Sequence, residues 1–512
     1  MAGRAFHLGW GTLVSRLLGL ARDMLLAAFL GTGAVADSFL LAFRLANMVR
    51  RLLAEGSLSQ AFVPAYTGLR RTEGRTRADC FARSCLLLLP LLCAGLAGIG
   101  ILCAKPLALL LGPGLLQKGE LEQTAFFLAA CMPYLPLAAG AAVSSGILLA
   151  RGSFLAPALN PALLNIFLIG GAGGALWFGP GSGALLLCAA LVLGGAVQWL
   201  AQLPALRRLG FAAVGPCSLH DPAALAAVKK TPVAAFSAAN QQIFMLGCLF
   251  WASFLGEGSI AMIYFAERLL DFPLGIIGSS LGLAALTGLA EETGNRQAFR
   301  TCLGLSLRLG CFLAAPASLG LFFLAAPLVS FFFGYGAFSE VSLEETTAIL
   351  AAMAPALPAL VLARPLVSAL HALGKSREAF ALTLKSLLLL LTAGAAAKAL
   401  APGSTGALLG AFSLGCWAFF GHLWRTLDRL DLLERPGWLF FRPMLAGNLV
   451  LAALLLGLDY LGAACSGAGN ALMALAAPPA GAALYLAVTR ACGSNEAAVV
   501  LALLRGRRAG IL

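Results

Sequence analysis

Phe29-Leu30-Gly31-Thr32-Gly33-Ala34-Val35-Ala36 lies between two long apolar segments near the amino terminus, and it decides the architecture because its pattern occurs twice. The second copy, Phe254-Leu255-Gly256-Glu257-Gly258-Ser259-Ile260-Ala261, also lies between two apolar segments, near the middle of the chain. Self-similarity at a fixed spacing is typical of a chain built from internal repeats. The sequence therefore predicts two related halves.

The amino-acid composition shows whether these segments lie in water or in a membrane. Of the 512 residues, 60% are hydrophobic and only 11% are charged, and the mean hydropathy is +0.91. Soluble domains are about half apolar and about a quarter charged. The apolar stretches are continuous and lack the alternation of membrane strands, so an all-α polytopic membrane protein is predicted. A soluble enzyme and a nucleic-acid-binding protein are excluded.

About fourteen apolar stretches are long enough to cross a bilayer, which takes about 20 helical residues. Six spans separate the two copies of the repeat, and because six is even, both halves have the same orientation in the membrane. We predict two six-helix lobes around a central cavity (residues 1–215 and 216–436), then two more helices and a tail (residues 437–512). The predicted spans are 6–31, 35–64, 81–104, 123–150, 157–178, 183–206, 226–255, 259–289, 301–333, 345–371, 379–400, 405–427, 438–461 and 470–490.

The net charge of +13 follows from membrane topology. Lysine and arginine accumulate in cytoplasmic connections. With a cytoplasmic amino terminus, basic connections such as residues 70–77 fall on the cytoplasmic side, and residues 179–183, 256–259 and 334–345, which contain no lysine or arginine, fall outside. The basic residues at 505–508 place the carboxyl terminus inside as well. We predict that both termini are cytoplasmic and that nucleic acid is not a partner.

No catalytic or metal-binding constellation is evident. The thirteen cysteines are spaced singly, and no nucleotide-binding loop of the Gly-x-x-x-x-Gly-Lys-Ser/Thr type is present. The histidines fall at span ends or in loops, without a second ligand at metal-binding spacing. We therefore predict no metal, no cofactor and no enzymatic activity. The four histidines are His7, His220, His371 and His422.

Charged residues inside predicted spans are the strongest indication of function. One charge at the bilayer centre costs about 2.5 to 3.5 kcal/mol even on the scale derived from insertion experiments, so these side chains are expected to face protein or a hydrated cavity. At 100° per residue, Asp37, Arg44, Arg51 and Glu55 share one stripe of the second span. On the eighth span, Glu267, Arg268 and Asp271 form a compact cluster of both signs.

Surplus arginines in a cavity suit bidentate binding of phosphate oxygens. A proton pump would instead show isolated carboxylates or histidines. We therefore predict a phosphorylated, anionic substrate for the arginines of the first, second and eighth spans. The residues predicted to bind it are Arg16, Arg22, Arg50 and Arg268. Structural pairing between helices is sufficient for Arg44, Arg308, Arg364 and Lys385.

Three stretches closely resemble landmarks of the lipid II flippases, the MurJ or MviN family. The first combines Ser15-Arg16-Leu17-Leu18-Gly19-Leu20-Ala21-Arg22-Asp23, Asp37-Ser38-Phe39 and residues 50–64, which begin Arg50-Arg51-Leu52-Leu53-Ala54-Glu55-Gly56. The second is Tyr264-Phe265-Ala266-Glu267-Arg268-Leu269-Leu270-Asp271-Phe272-Pro273-Leu274-Gly275, and the third is Gly336-Ala337-Phe338. The resemblance covers essentially the whole chain in order and span count.

The resemblance implies the fold of the multidrug, oligosaccharidyl-lipid and polysaccharide exporter superfamily, with a lipid-tail groove made by the last two helices. It also implies a function in bacterial cell wall synthesis. The cargo would be undecaprenyl-pyrophosphate-linked peptidoglycan precursor, moved by alternating access from the cytoplasmic to the outer leaflet of the inner membrane.

Matched residue by residue, the family's cavity arginines fall on Arg16, Arg22, Arg50 and Arg268, with acidic partners at Asp23 and Asp37. The family motif favours Arg50, whereas the stripe on the second span favours Arg51, and a bend in that span would reconcile the two. A coupling or supporting role is predicted for Arg51, Glu55, Glu267 and Asp271.

The chain departs from the family pattern in several places. Ala46 replaces a usual proline, Glu267 a common aspartate, and Tyr335 a frequent arginine. Some members bind sodium through an aspartate of the seventh span, but residues 242–255 contain no acid. A sodium site of that kind is not expected.

Two alternative functions remain open at this point. One is an exporter of the same fold that carries drugs or a different polyprenyl-linked glycan. The other is a membrane-embedded glycosyltransferase or ligase acting on the same lipid, which would need a general base or nucleophile in a loop pocket. The sequence assigns neither a coupling ion nor a protein partner.

The topology is testable by single-cysteine labelling in a cysteine-free background. Cysteines at Gly181 and Ser259 should react with an impermeant reagent in intact cells, and a cysteine at Arg75 should react only after permeabilisation, because basic connections are cytoplasmic. The reverse pattern would overturn the span assignment.

Overall fold

The computed structural model describes residues 2–54, 57–229, 240–278, 294–434, 437–462 and 467–504, with isolated positions at 281–282, 285, 288–289 and 292. Regular structure in these ranges is helical, and no strand occurs among them. The chain divides into two compact units. The first comprises Met1–Gln242, Ala252–Ala261 and Tyr335–Phe338, and the second comprises Ile243–Trp251, Met262–Gly334 and Ser339–Leu512.

The first unit begins with eleven helices, and several of their ends coincide with glycine or proline. Pro180, for example, occupies the first turn of its helix, where its missing N–H has no intrahelical acceptor to lose. The helices are α1 (Ala2–Leu30), α2 (Ala34–Ala54), α3 (Ser57–Thr72), α4 (Arg75–Leu102), α5 (Ala104–Leu111), α6 (Leu115–Lys118), α7 (Leu121–Cys131), α8 (Tyr134–Ala150), α9 (Leu155–Ala175), α10 (Pro180–Leu200) and α11 (Leu203–Arg208).

Eleven more helices with defined bounds follow along the chain. A π-helical turn, Leu274–Gly278, directly continues α13 after Pro273. The helices are α12 (Asn240–Ala252), α13 (Ser259–Pro273), α14 (Arg296–Phe323), α15 (Ala325–Phe333), α16 (Glu340–Met353), α17 (Ala356–Ala372), α18 (Ser376–Leu400), α19 (Thr405–Arg429), α20 (Trp438–Gly462), α21 (Gly467–Ala491) and α22 (Asn495–Leu504).

Each of the fourteen predicted spans overlaps one of these helices or two successive ones. Within the described ranges, nine helices are long and apolar enough to cross a membrane, or ten if α16 and α17, which meet at 45°, form one span. The all-α polytopic membrane fold is confirmed. The number of fourteen spans and the lobe boundaries at residues 215 and 436 stay predictions.

Apolar side chains divide between the core of each unit and its outer surface. In the first unit, Phe62 stacks between Tyr66 and Phe81, at centroid distances of 5.8 Å and 5.3 Å. On α4, by contrast, Leu96 and Leu102 are exposed. Exposed apolar side chains on a helix of this hydropathy are suited to contact lipid.

The internal repeat extends well beyond the quoted stretches. Helices α8 and α17 each contain 17 residues, follow Pro133 and Pro355, and are followed by glycines with positive φ, Gly152 (+81°) and Gly374 (+71°). The two prolines and the two glycines are separated by the same length of chain. The predicted repeat is therefore confirmed at the level of backbone conformation.

A second pair of equivalent corners lies where α11 and α19 end. Phe211 N–H donates to the Leu206 carbonyl at 3.0 Å, and in the second half Leu432 N–H donates to the Leu427 carbonyl at 3.1 Å. This bond closes a helix through a left-handed residue, here Gly210 (φ +70°) and its counterpart Asp431 (φ +53°).

Arginines at the start of α4 and α14 anchor the two corners. Arg75 Nη2 donates to the Leu209 carbonyl at 3.3 Å, and Arg296 Nη2 donates to the Leu430 carbonyl at 2.7 Å. The two arginines are as far apart in the sequence as Gly210 and Asp431 are, so they are equivalent residues of the repeat. Carboxylates reinforce each anchor, because Arg300 lies 3.3 Å from Asp431 and Arg77 lies 2.5 Å from Asp221.

The ion pair with Arg77 determines the charge of Asp221. Burial by itself would raise the pKa of Asp221, but the hydrogen bond from Arg77 and those from the N–H groups of Ala223 and Ala224 lower it further than burial raises it. The pKa of Asp221 is therefore below its ordinary value, and the carboxylate remains charged in the folded protein.

Substitution of Gly210 tests whether the left-handed corner contributes to the stability of the protein. Gly210→Ala should destabilise the protein by about 1 kcal/mol, because a β-carbon disfavours the left-handed backbone at φ +70°. The measurement is the melting temperature of the purified protein. Gly68→Ala is the control, since Gly68 lies inside α3 with open space around it, and this change should leave the melting temperature unchanged or raise it. Equal effects of the two variants would contradict the assignment.

Candidate functional site

Arg22 on α1, one of the arginines predicted to bind substrate, is buried and hydrogen-bonded by two other side chains. Its Nε and Nη2 donate to the same oxygen of Asp23, Oδ1, at 3.0 Å and 2.7 Å. Its Nη1 donates to Oδ1 of Asn165 at 2.9 Å. Arg22 is 7% exposed and Asp23 only 2% exposed. The guanidinium plane is thus fixed by bonds on two of its edges.

Two residues that the sequence analysis missed complete this cluster. The ring of Phe43 on α2 lies 5.4 Å from the Arg22 guanidinium carbon, which is within cation–π distance. Asn165 on α9 donates through Nδ2 to the Ser15 carbonyl at 3.0 Å, and this bond turns its Oδ1 towards Arg22. The available indication of Asn165 was that it is one of two amides, with Asn160, in an otherwise apolar span.

Other predicted residues of the first two spans lie around this cluster or beyond it. Arg16 is half-buried on α1, and at six residues from Arg22 it projects about 120° away around the helix. Arg50 Nε donates to Oδ1 of Asn47 at 2.8 Å, which orients this half-buried side chain. Glu55 lies outside the described residues, as does the side chain of Arg51.

Asp37 contacts backbone amides. Its Oδ2 accepts from Gly258 N–H at 3.0 Å and its Oδ1 from Ala261 N–H at 2.8 Å, and the side chain is completely buried. Gly258 and Ala261 lie at the amino-terminal end of α13, where unpaired N–H groups favour an anion. Lys118 Nζ is 3.7 Å from Oδ2. These contacts connect segments of the first unit, whereas Asp37 was predicted to bind substrate beside Arg22.

Asp37 belongs to what we term the loop cluster, defined as residues 28–37, 112–120, 253–261 and 335–338. Its segments approach so closely that glycine is required. Ala337 N–H donates to the Ala28 carbonyl at 2.8 Å, and a β-carbon on Gly336 would stand 2.3 Å from that same oxygen. A β-carbon on Gly114 would stand 2.1 Å from the Ser253 carbonyl oxygen.

The loop cluster corrects one position chosen for labelling. Ser259 is only 2% exposed, because it is enclosed in the loop cluster. A cysteine at Ser259 is therefore a poor target in this arrangement. Gly256 is exposed and tests the same connection.

Arg268 is the predicted substrate arginine of the second unit. Its Nη1 lies 3.5 Å from Oδ2 of Asp271, and its guanidinium carbon lies 4.5 Å from the centroid of the Tyr264 ring. Glu267 beside it is completely buried. The predicted mixed-charge cluster on α13 is therefore present, with an aromatic ring in addition.

Two of the arginines assigned to structural pairing, Arg308 and Arg364, lie elsewhere in the second unit. Arg308 Nε is 4.0 Å from Oε1 of Glu496 on α22. The side chain of Arg364 passes close to Gly278, where a β-carbon would stand 2.9 Å from Arg364 Cδ. Among the residues that the structure describes, no three His, Cys, Asp or Glu side chains are grouped so as to hold a metal ion.

Comparison with solved structures identifies the fold. A lipid II flippase MurJ in an inward closed conformation superposes with a TM-score of 0.77 at 21% identity, covering 94% of this chain and 98% of that one. An inward-facing multidrug resistance transporter of the MATE family gives a TM-score of 0.67 at 15% identity, over 82% and 95% of the two chains.

Sequence comparison identifies the family. The family model described as lipid II flippase MurJ matches residues 26–466. The lipid II flippase MurJ of Burkholderia cenocepacia is 30% identical over 460 residues, 87% of each chain. A probable lipid II flippase MurJ of Vibrio cholerae is 34% identical over 354 residues, 66% of each chain. The chain therefore belongs to the lipid II flippase MurJ family.

Proposed function

We propose that this protein is a lipid II flippase of the bacterial inner membrane. It moves the undecaprenyl-pyrophosphate-linked peptidoglycan precursor from the cytoplasmic to the outer leaflet, and it is a transporter that catalyses no chemical reaction. The observation that carries the proposal is the buried Arg22, held by Asp23, Asn165 and Phe43 within a predicted span. Family membership supports the same cargo.

The geometry around Arg22 suits a diphosphate ligand. Arg22 cannot deprotonate, and a planar guanidinium offers paired donors that match two phosphate oxygens. Asp23 neutralises the arginine in the absence of cargo, so the protein avoids the cost of an uncompensated buried cation. The hydrogen bond to Asn165 and the cation–π contact with Phe43 hold the guanidinium in place when cargo phosphate replaces Asp23 as its anionic partner.

Arg268 would bind the same head group with a looser partner. Its contact with Asp271 is 3.5 Å, against 2.7 Å between Arg22 and Asp23. A longer ion pair is weaker and rearranges at a lower cost. Arg16 and Arg50 would supply further positive charge, and Glu267 and Asp271 would support Arg268. Roles for Arg51 and Glu55 rest on the sequence alone.

Asp37 would act in the conformational cycle, as its two bonds to the start of α13 hold the loop cluster together. Alternating access requires that such contacts form and break as the cargo passes. With both termini in the cytoplasm, the four segments of the loop cluster fall on the outer side of the membrane. The polyprenyl tail would remain in the bilayer throughout.

Depletion of the protein tests the cargo. In cells that lack any other flippase, depletion should cause lipid II to accumulate in the cytoplasmic leaflet and should stop cell wall synthesis. Accumulation of a different lipid-linked glycan would reassign the cargo, and normal turnover of lipid II would contradict the proposal.

Substitution of the two arginines tests the anion-binding mechanism. Arg22→Ala and Arg268→Ala should each lower flipping at least about 100-fold, which corresponds to about 3 kcal/mol lost from charge-assisted hydrogen bonds. The lysine variants should retain partial activity, because an ammonium group is a point charge without the planar fork. The measurement is lipid II exposure on the outer leaflet at matched protein abundance.

Arg308→Ala and Arg364→Ala are the matched controls, since both residues were assigned to structural pairing. These variants should lose protein abundance before they lose activity per molecule. If Arg22→Ala and Arg268→Ala both sustain growth at normal abundance, the mechanism is wrong.

Asn165 tests whether the orientation of Arg22 matters in addition to its charge. Asn165→Ala should lower flipping about tenfold, which corresponds to about 1.4 kcal/mol, because Arg22 loses one orienting bond but keeps its charge. Asn448→Ala is the control, as the Asn448 amide also lies in a predicted span but, among the described residues, donates to the Met444 carbonyl of its own helix, at 2.9 Å. Equal flipping activities of the two variants would contradict the proposed role of Asn165 in orienting Arg22.

A further inference from the structure

Glu120 is a buried acid that neither the arginine clusters nor the family resemblance uses. It immediately precedes α7 and is only 5% exposed. Its Oε2 atom is fully enclosed and has no hydrogen-bond partner among the described residues. Although Glu120 occupies the cap position of α7, its side chain accepts no hydrogen bond from the first turn. A bare carboxylate oxygen in such a place is costly, because burial removes its water without a replacement.

The surroundings of Glu120 contain more negative than positive charge. Lys118 donates to the Gly256 carbonyl at 2.9 Å and lies 3.7 Å from Asp37. Glu257 accepts from Ala34 N–H at 2.9 Å through Oε1. Asp37 and Glu120 both interact with the Lys118 ammonium, and Glu257 acts on Glu120. The loop cluster therefore contains three acidic side chains and one ammonium group.

These surroundings shift the proton affinity of Glu120. Burial raises its pKa above the ordinary value, the ammonium of Lys118 lowers it, and the carboxylate of Glu257 raises it again, with a net increase. Glu120 thus binds a proton more tightly inside the loop cluster than it would in water. By linkage, the bound proton stabilises the closed cluster.

We propose that Glu120 is a proton-binding site and that its bound proton holds the loop cluster closed. The proton neutralises the Glu120 carboxylate, whose enclosed oxygen has no hydrogen-bond partner among the described residues. A proton fits the site better than a metal ion does, because no three acidic side chains of the described chain are grouped at metal-binding distances.

The sign of the pH dependence follows from the raised pKa. As the pH falls through the pKa that Glu120 has in the closed cluster, the closed cluster gains stability, and the gain is complete below the ordinary pKa of a glutamate. As the pH rises through that pKa, the stability is lost. If the loop cluster faces outward, acidification outside the cell favours its closed form. That this closure is a step of lipid transport rests on the proposed function, whereas proton binding does not.

The first experiment measures proton linkage in the purified full-length protein, without cargo. The melting temperature of the wild type should increase as the pH is lowered from neutral, relative to Glu120→Gln, which imitates the protonated form. Infrared difference spectra between the two pH values should contain a protonated-carboxyl band that Glu120→Gln lacks. Glu122→Gln is the control, because Glu122 is largely exposed and pairs with Lys105, and it should titrate like the wild type.

A second pair of variants tests the electrostatic cause. Lys118→Gln removes the ammonium that lowers the pKa of Glu120, so the transition should move to higher pH. Lys105→Gln, whose side chain is 59% exposed against 14% for Lys118, should leave the transition in place. Both experiments are run in sodium and in potassium buffers.

Several outcomes would overturn the proposal. They are an unchanged pH dependence and carboxyl band in Glu120→Gln, a transition unmoved by Lys118→Gln, or a transition displaced by sodium, which would indicate a cation site. The infrared band remains informative if a variant melts at low temperature. Failure of lipid II transport with the proton band intact would count against the proposed function alone.

Discussion

A charged side chain within a membrane span must be neutralised and hydrogen-bonded by protein, and this constraint organises the first unit. Burying the Arg22 guanidinium without a partner in a low-dielectric interior would cost several kcal/mol of free energy. The fold meets that cost with one carboxylate from the adjacent residue, one amide from α9 and one aromatic ring from α2. The three helices are consequently tied to one another at the residue that would bind cargo. If Arg22 binds the cargo as proposed, stability and cargo binding depend on the same contacts.

The acidic residues divide into two kinds by what their carboxylates contact. Asp23 lies against a guanidinium, a partner that a phosphate could replace with the same geometry. Asp37 lies against backbone N–H groups at the start of α13, and a phosphate brought next to it would be repelled. The resemblance placed both residues beside the cavity arginines. In the proposed mechanism, Asp23 is therefore an exchangeable counter-ion, whereas Asp37 holds loops together.

The sequence was sufficient for the elements that depend on local pattern. Hydrophobic length located the long apolar helices, and the repeated Phe-Leu-Gly stretch predicted a second half whose corners at Gly210 and Asp431 have the same hydrogen bonds. It was insufficient where distant segments meet. Nothing near Asn165 in the sequence points to Arg22, and Cys131 and Cys188, 57 residues apart, have sulfur atoms 3.6 Å apart only because their helices pack. Likewise, Lys118 and Glu120 lie between two predicted spans, and no local pattern in the sequence indicates their interactions with Asp37 and Glu257.

The two halves of the repeat share backbone features, but the helix that carries the arginine differs between them. At the spacing of the quoted stretches, Arg22 corresponds to Gly247 and Phe43 corresponds to Arg268. The first unit therefore carries its guanidinium on the first helix of the pair with an aromatic ring on the second. The second unit carries both guanidinium and ring, Arg268 and Tyr264, on the second helix. An arginine beside an aromatic ring recurs although the helix that supplies it differs. This recurrence is expected if each half must present a desolvated cation, and it is not explained by inheritance of a single ancestral residue.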